Sequence, residues 1–559
     1  MAFVIQGKGV GDNLVFGKAW LLPHFSKLDV KFKSVAPEKL GSELLRFNKA
    51  VNFLKSELKE LSFDDEKKLT REFRSLLESY RLILDDHVLI NGTKEKILHS
   101  SCNAEWALVN QLNIICKEFD KIDDPYFRER KQDVEQLVSR LLKTLVNSDD
   151  SKRNNDQRHG SHSNKSDNSN ENWIVISKDI SISEVSYLDK NVIGFATELG
   201  SPTSHLAILA RSLNIPAILG ITKSLNLIRH GENIILDAEC GTIIVGADKK
   251  ILDIYQERKE KKLRFKKQLK KLKNVECITK SGNYISLMAN IEQPQETIKA
   301  IDQGANGIGL FRSEFLFINK KSMPSENEQF LAYKKVAVDM KGLPVTIRTL
   351  DSGADKNIPY LYNTKEQPAN PALGLRAVRL CLANTEIFTI QIRAILRSSC
   401  FGNIKILLPL ISGSNEIIAC RKLILNAMTQ LDSEKTKYNK EIEIGAMIEV
   451  PSAAIAIRSL LPHLDFVSLG TNDLIQYTLA IDRTNSYVSS LYDPEHPAII
   501  ELIKNVVEVC NEYNTPLSIC GEMAGNIRHT ELLLNLGLKC FSMNCNEILL
   551  IKEKILNLK

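Results

Sequence analysis

The sequence predicts a multidomain α/β protein that ends in a (β/α)8 barrel. Three observations carry this reading. The chain has 559 residues, too many for one ordinary domain. Residues 37–145 repeat apolar side chains at steps of three and four, the spacing of amphipathic helices. The last part of the chain, about 280 residues, holds eight short apolar runs, most of them separated by helical patterns.

The chain opens with a short Gly-rich segment that runs to about Lys18. Leu40, Leu44, Phe47, Val51, Leu54, Leu58 and Leu61 then form one helical stripe. Similar patterns cover 73–84, 104–119 and 134–145, and antiparallel helices would bury these stripes against one another. Residues 147–170 are polar and low in complexity. They cannot bury enough surface to offset their chain entropy, so a mobile loop is expected. His159 and His162 in this tract read as polar filler, not as metal ligands.

Apolar runs return at Trp173 and recur at 192–195, 217–219, 234–236 and 243–245, around a helix-like stretch at 206–213. That pattern describes a compact α/β domain. Residues 251–273 are very basic. Their Leu and Ile residues fall near helical spacing, so a solvated linker helix is expected before a site for an acidic partner. Barrel strands are expected at 285–289, 307–311, 345–349, 404–410, 444–450, 466–470, 517–520 and 541–543. A doubly wound open sheet has the same period and stays open as the alternative.

Composition narrows the function. Apolar residues make up 43% and charged residues 25%, which is globular. The 74 Lys and Arg against 68 Asp and Glu give +6, too mild for a dedicated nucleic-acid binder. No uninterrupted apolar run reaches membrane-spanning length, and the N-terminus does not read as a secretory signal. The 11 Cys are scattered without CxxC pairs, as expected of reduced thiols in a cytoplasm.

The chemistry gathers at the predicted strand ends, where barrel active sites lie. These ends carry Arg312-Ser313-Glu314, Arg348-Thr349-Leu350-Asp351, Glu449, Asn472-Asp473 and Cys520-Gly521-Glu522. Any one of them could be a surface ion pair; five on one rim argue for a site. Arg312 and Arg348 offer planar forks suited to phosphate or carboxylate. Glu449 and Asp473 are hard oxygen ligands suited to Mg²⁺. Cys520 is a possible proton donor or nucleophile, or an inert buried thiol. A second cluster, Gly200-Ser201-Pro202-Thr203-Ser204-His205, precedes a predicted helix. A His at an anion-binding helix start can accept a phosphoryl group; it can also simply cap the helix.

The stretch TSHLAILARSLNIPAILG resembles the phosphohistidine motif of the phosphoenolpyruvate-protein phosphotransferases, enzyme I of the sugar phosphotransferase system. GIGLFRSEFLFI, RTLDSGADKNIPYL, NPALGLRAVRL, GAMIEVPSAA, SLGTNDLIQYTLAIDR, LYDPEHPAI and SICGEMAG resemble that family's barrel motifs in order, and DDPYFRERKQDVEQL resembles the end of its helical subdomain. The likeness implies a swivelling phosphohistidine α/β domain (1–24 and 147–247) with an inserted helical bundle (25–146) that docks the phosphocarrier HPr. It implies a linker helix (248–274) and a (β/α)8 TIM-type barrel (275–559) that binds phosphoenolpyruvate and forms the homodimer.

Carried over by motif, His205 would take the phosphoryl group and Cys520 would protonate the pyruvate enolate. Arg312, Arg348, Asn472 and Arg483 would bind phosphoenolpyruvate, and Glu449 and Asp473 would bind Mg²⁺. Lys356 and Arg376 match positions near the phosphate. The sequence departs from the family pattern at Gly11-Asp12-Asn13, Ser201, Ser313, Tyr80 and Asn526, none of them a catalytic position. Two other readings stand beside the first. One is the nitrogen-regulatory relative with a different carrier, and the other is a non-catalytic phosphoenolpyruvate-binding scaffold.

Overall fold

The structure, a computed structural model, describes residues 2–22, 30–63, 77, 80–119, 125–150, 171–178, 180, 191–200, 204–213, 215–221, 227–318, 320, 322–353, 358, 370, 372–482, 485 and 488–558. They form two compact units, 1–260 and 261–559.

The first unit is an α/β sheet interrupted by helices. Its strands are β1 (Phe3–Gln6), β2 (Lys8–Val10), β3 (Leu14–Leu21), β4 (Trp173–Ser177), β5 (Val192–Thr197), β6 (Ala217–Leu219), β7 (Asn233–Asp237) and β8 (Thr242–Val245), in the order β1-β8-β7-β3-β4-β5-β6-β2. β3 and β4 are parallel neighbours although about 150 residues separate them. The helices α1 (Leu40–Phe63), α2 (His87–Ser100), α3 (Ala104–Phe119) and α4 (Pro125–Asp150) are therefore an insertion between adjacent strands. β4 reads as a continuous apolar run because both its faces are buried. Val175 joins the core that includes Leu137 and Val138 of α4, while Ile174 and Ile176 join the core on the other face with Ile218 and Leu236.

The predicted stripe is the buried face of α1, where Phe47, Val51, Leu54 and Leu58 are all in the core. Helix α2 lies inside the stretch 37–145 expected to be helical, although none of the stripes named there marks it. Its Asn91-Gly92 looks like a turn, yet Gly92 is there for close approach: a β-carbon would stand 2.4 Å from Nε2 of Gln111 on α3. Asp86 starts this helix by accepting from the amides of Val88 and Leu89. Helix α4 runs through Asp150, so residues 147–150 are helical and not part of a loop. Each residue added to an existing helix gains a hydrogen bond, which carries it past the last apolar side chain. The rest of the polar tract, with His159 and His162, lies outside the described residues. Tyr80 is buried in the helical core.

A short helix, α5 (His205–Leu213), follows β5, and α6 (Lys249–Lys271) follows β8. Within the second unit, Nζ of Lys552 donates to the carbonyls of Leu272 and Lys273 at 3.0 and 3.1 Å.

In the second unit, β9 (Ser286–Ile291), β10 (Ile308–Arg312), β11 (Val345–Arg348), β12 (Ile404–Leu408), β13 (Ile444–Ile448), β14 (Phe466–Gly470), β15 (Leu517–Cys520) and β16 (Cys540–Asn544) close into a barrel. All neighbours are parallel, and β9 pairs with both β10 and β16. That closure excludes the open sheet. Helices cover the outside, and their inner faces (Val336, Ile395, Ile424, Val506) form one continuous core with the strands.

Candidate active site

Eight parallel strands send their C-terminal ends to one rim. Arg312, Arg348 and Cys520 are the last residues of β10, β11 and β15, and Glu449 directly follows β13. Asn472 and Asp473 begin the helix Thr471–Leu479, which starts as β14 ends. The strands are apolar up to these points and polar beyond them, so barrel closure brings the polar groups together.

A chain of buried ion pairs runs across this rim. Arg348 Nη2 donates to Glu314 Oε1 at 2.6 Å, and Arg348 Nη1 meets Asp351 Oδ2 at 2.9 Å. The other Asp351 oxygen accepts from Arg376 Nη2 at 2.9 Å. The same Arg376 nitrogen reaches Asp473 Oδ2 at 3.4 Å, and Arg376 Nη1 donates to the Tyr477 hydroxyl at 3.2 Å. Burial alone would lower the pKa of Arg348, but Asp351, Glu314, Glu449 and Asp473 outweigh it and raise it. Burial opposes and Asp351 and Asp473 raise that of Arg376 in the same way. The Nε atoms of both arginines are buried and have no hydrogen-bond partner within the protein. Two cationic donors of that kind suit an anion.

Glu449 is buried, and the backbone amide of Leu410 donates to its Oε1 at 2.6 Å. Leu410 has φ +53°, a left-handed conformation rare for a leucine. Burial first, then Asp473 and Asp351, pushes the Glu449 carboxyl up to about 8, with Arg348 opposing. A carboxylate crowded by other carboxylates is relieved by a cation. Glu449 and Asp473 fit Mg²⁺, which commonly takes one or two carboxylates and fills its shell with water and substrate oxygens. Gly470 makes room for Glu449, since a β-carbon there would meet Glu449 Oε2 at 2.8 Å.

Cys520 lies against the floor of the rim among Leu310, Leu407, Met447 and Phe466. Its thiol donates to the Leu469 carbonyl at 3.2 Å, and burial pushes its pKa up to about 11. Asn472 is oriented by Glu522: its Oδ1 accepts from the Glu522 amide at 2.9 Å, and its Nδ2 donates to Glu522 Oε1 at 3.3 Å. Arg312 Nη1 donates to Glu292 Oε1 at 3.1 Å, beyond the end of β9.

Arg312, Arg348, Glu449, Asn472, Asp473 and Cys520 thus come to one rim, and Arg376 joins them. Arg483 and Lys356 lie outside the described residues. His205 is the first residue of α5 in the other unit; its side chain is outside the description as well. Glu292 escaped the sequence reading, and Tyr477 stood in a quoted motif without being singled out. Glu314 and Asp351 stood in the polar strand ends, but nothing in the sequence says that they share arginines.

The chain as a whole is similar to known proteins. Three family models match the chain: the PEP-binding domain of PEP-utilising enzymes over residues 266–559, their N-terminal domain over 6–130 and their mobile domain over 169–241. The phosphoenolpyruvate-protein phosphotransferase of Cupriavidus necator is 39% identical, over 100% of this chain and 94% of that protein. Those of Staphylococcus carnosus and Bacillus subtilis are each 36% identical, over 100% and 99% of this chain and 94% of each relative. The chain belongs to the phosphoenolpyruvate-protein phosphotransferase family of enzymes.

Proposed function

We propose that this enzyme moves the phosphoryl group of phosphoenolpyruvate to Nε2 of His205 and then to the carrier HPr, releasing pyruvate. The observation that carries the reading is the buried run Glu314–Arg348–Asp351–Arg376–Asp473 beside Glu449. It offers two arginines with unused donors and two hard carboxylates on one rim, which suits a small phosphorylated acid.

In this reading Arg312, Arg348, Asn472 and Arg483 hold the substrate's phosphate and carboxylate. Glu449 and Asp473 hold Mg²⁺, which when bound neutralises charge on the phosphate and the leaving oxygen. The P–O bond to the enol oxygen breaks and a P–N bond to His205 forms. The electron pair stays with the enolate, and Cys520 supplies the proton that makes the pyruvate methyl group. A thiol held protonated by burial suits that role. Segments 1–24 and 147–247 act as the phosphohistidine domain and 25–146 docks HPr. Residues 248–274 are the linker, and 275–559 binds substrate and dimerises. Among the described residues no helix is long and apolar enough to cross a membrane. A cytoplasmic homodimer acting in sugar uptake or its regulation is the setting we infer.

Intact-protein mass after incubation with phosphoenolpyruvate and Mg²⁺, beside His205→Ala, tests this. One acid-labile phosphoryl group on the wild type, absent from the variant and blocked by EDTA, is expected. No mass change in folded protein would leave a binding role instead.

A further inference from the structure

Asp351 stands at the centre of the rim and binds through both oxygens. Oδ2 meets Arg348 and Oδ1 meets Arg376, each at 2.9 Å, and all three side chains are buried. Arg376 is also poised toward a second carboxylate. The nitrogen that Asp351 holds lies 3.4 Å from Asp473 Oδ2, too long for a strong charge-assisted bond. Its other terminal nitrogen rests on the Tyr477 hydroxyl, which donates in turn to the Ala372 carbonyl at 2.6 Å. The guanidinium is thus held on one side by Tyr477 and shared unequally between two acids on the other.

We propose that Asp351 is a positioning residue that keeps Arg376 from closing on Asp473 and so leaves Asp473 available to a divalent cation. This rests on the assignment of Asp473 as a metal ligand made above. The physical reason is competition for one charge. A buried guanidinium requires a carboxylate partner. With the Asp351 charge present, the better-placed oxygen is that of Asp351. Without it, the nearest remaining acid is Asp473, and a shift of a few tenths of an ångström completes a full ion pair. That pair would occupy the oxygen a cation needs. The second oxygen of Asp351 simultaneously holds Arg348 against Glu314, which ties the position of one arginine to that of the other.

The test is Mn²⁺ binding to the full chain, read by electron paramagnetic resonance without phosphoenolpyruvate, so that turnover does not enter. Asp351→Asn is nearly isosteric; Asp351→Ser serves if it does not fold. The expected result is Mn²⁺ affinity weakened by about tenfold or more, the scale of one charge-assisted pair. Loss of one negative charge would also weaken cation binding at long range, so Arg376→Gln is made alone and in the Asp351→Asn background. Arg376→Gln is expected to strengthen Mn²⁺ binding far more in the variant background than in the wild type. Equal effects in both backgrounds, or an Asp351→Asn affinity within about twofold of wild type, would overturn the proposal. If the wild type takes up no Mn²⁺, the metal assignment itself falls, a separate and distinguishable result.

Discussion

Gly470 and Glu449 are so close that a β-carbon on the glycine would stand 2.8 Å from the glutamate Oε2 and 2.9 Å from its Cβ. The glycine is chosen for space, since its φ of −94° is open to any residue. Gly470→Ala is expected to displace the Glu449 carboxylate. On the metal-holding role proposed for Glu449, a displacement of about 1 Å can cost about 100-fold in rate, and overpacking costs about 1–3 kcal/mol of stability. Steady-state pyruvate release and a denaturant titration check both; an unchanged rate would show that Glu449 is not needed where it stands.

Burial holds the Cys520 thiol near 11, so it stays protonated throughout the neutral range and becomes a thiolate only as pH rises toward that value. It is therefore expected to resist alkylation. Treatment with iodoacetamide at pH 7.5, followed by peptide mass spectrometry, should label the exposed Cys240 and Cys400 well before Cys520. Early labelling of Cys520 would contradict both its burial and the proton-donor role proposed for it.

The Arg348–Glu314 pair is buried on both sides, so removing one charge leaves the other poorly compensated. Glu314→Gln is expected to destabilise the barrel by about 3 kcal/mol, the lower end for a broken buried pair because Asp351 still accompanies the arginine. Urea unfolding measures the loss, and a raised KM for phosphoenolpyruvate should accompany it.

Gly92→Ala addresses the helical insertion. The added methyl group meets Gln111, whose Nε2 donates to the Val88 carbonyl at 2.9 Å, so that bond must break or the helices must part. The overpacking cost of about 1–3 kcal/mol, offset by about 1 kcal/mol for alanine over glycine inside a helix, leaves an expected loss of about 0–2 kcal/mol. Thermal unfolding monitored on the variant should show it, while phosphoenolpyruvate binding at the barrel stays at the wild-type level.

Much of the candidate site's rim was legible because it is written locally. Arg312, Arg348, Glu449, Asp473 and Cys520 each end an apolar run or follow one closely, and that position alone marks a barrel rim. The helix at 87–100 was legible only as part of the helical stretch 37–145, because no apolar stripe marked its bounds; the place of Gly92 in it depends on Gln111 of a neighbouring helix. The end of α4 was also misread: a polar tail can prolong a helix that earlier residues have already nucleated.

Periodicity and strand-end chemistry, properties of neighbours along the chain, already specified eight βα units and a polar rim, and the resemblance of its motifs pointed to one enzyme family. Other features depend on pairing between residues far apart in sequence. An open and a closed sheet share one period, so closure became visible only where β9 meets β16. The insertion of the helical segment between β3 and β4 became visible only in the pairing of those strands. The division of Asp351 between Arg348 and Arg376 has no sequence signature at all. It exists because folding removes these charges from water, and each must then find its counter-charge in the space that remains.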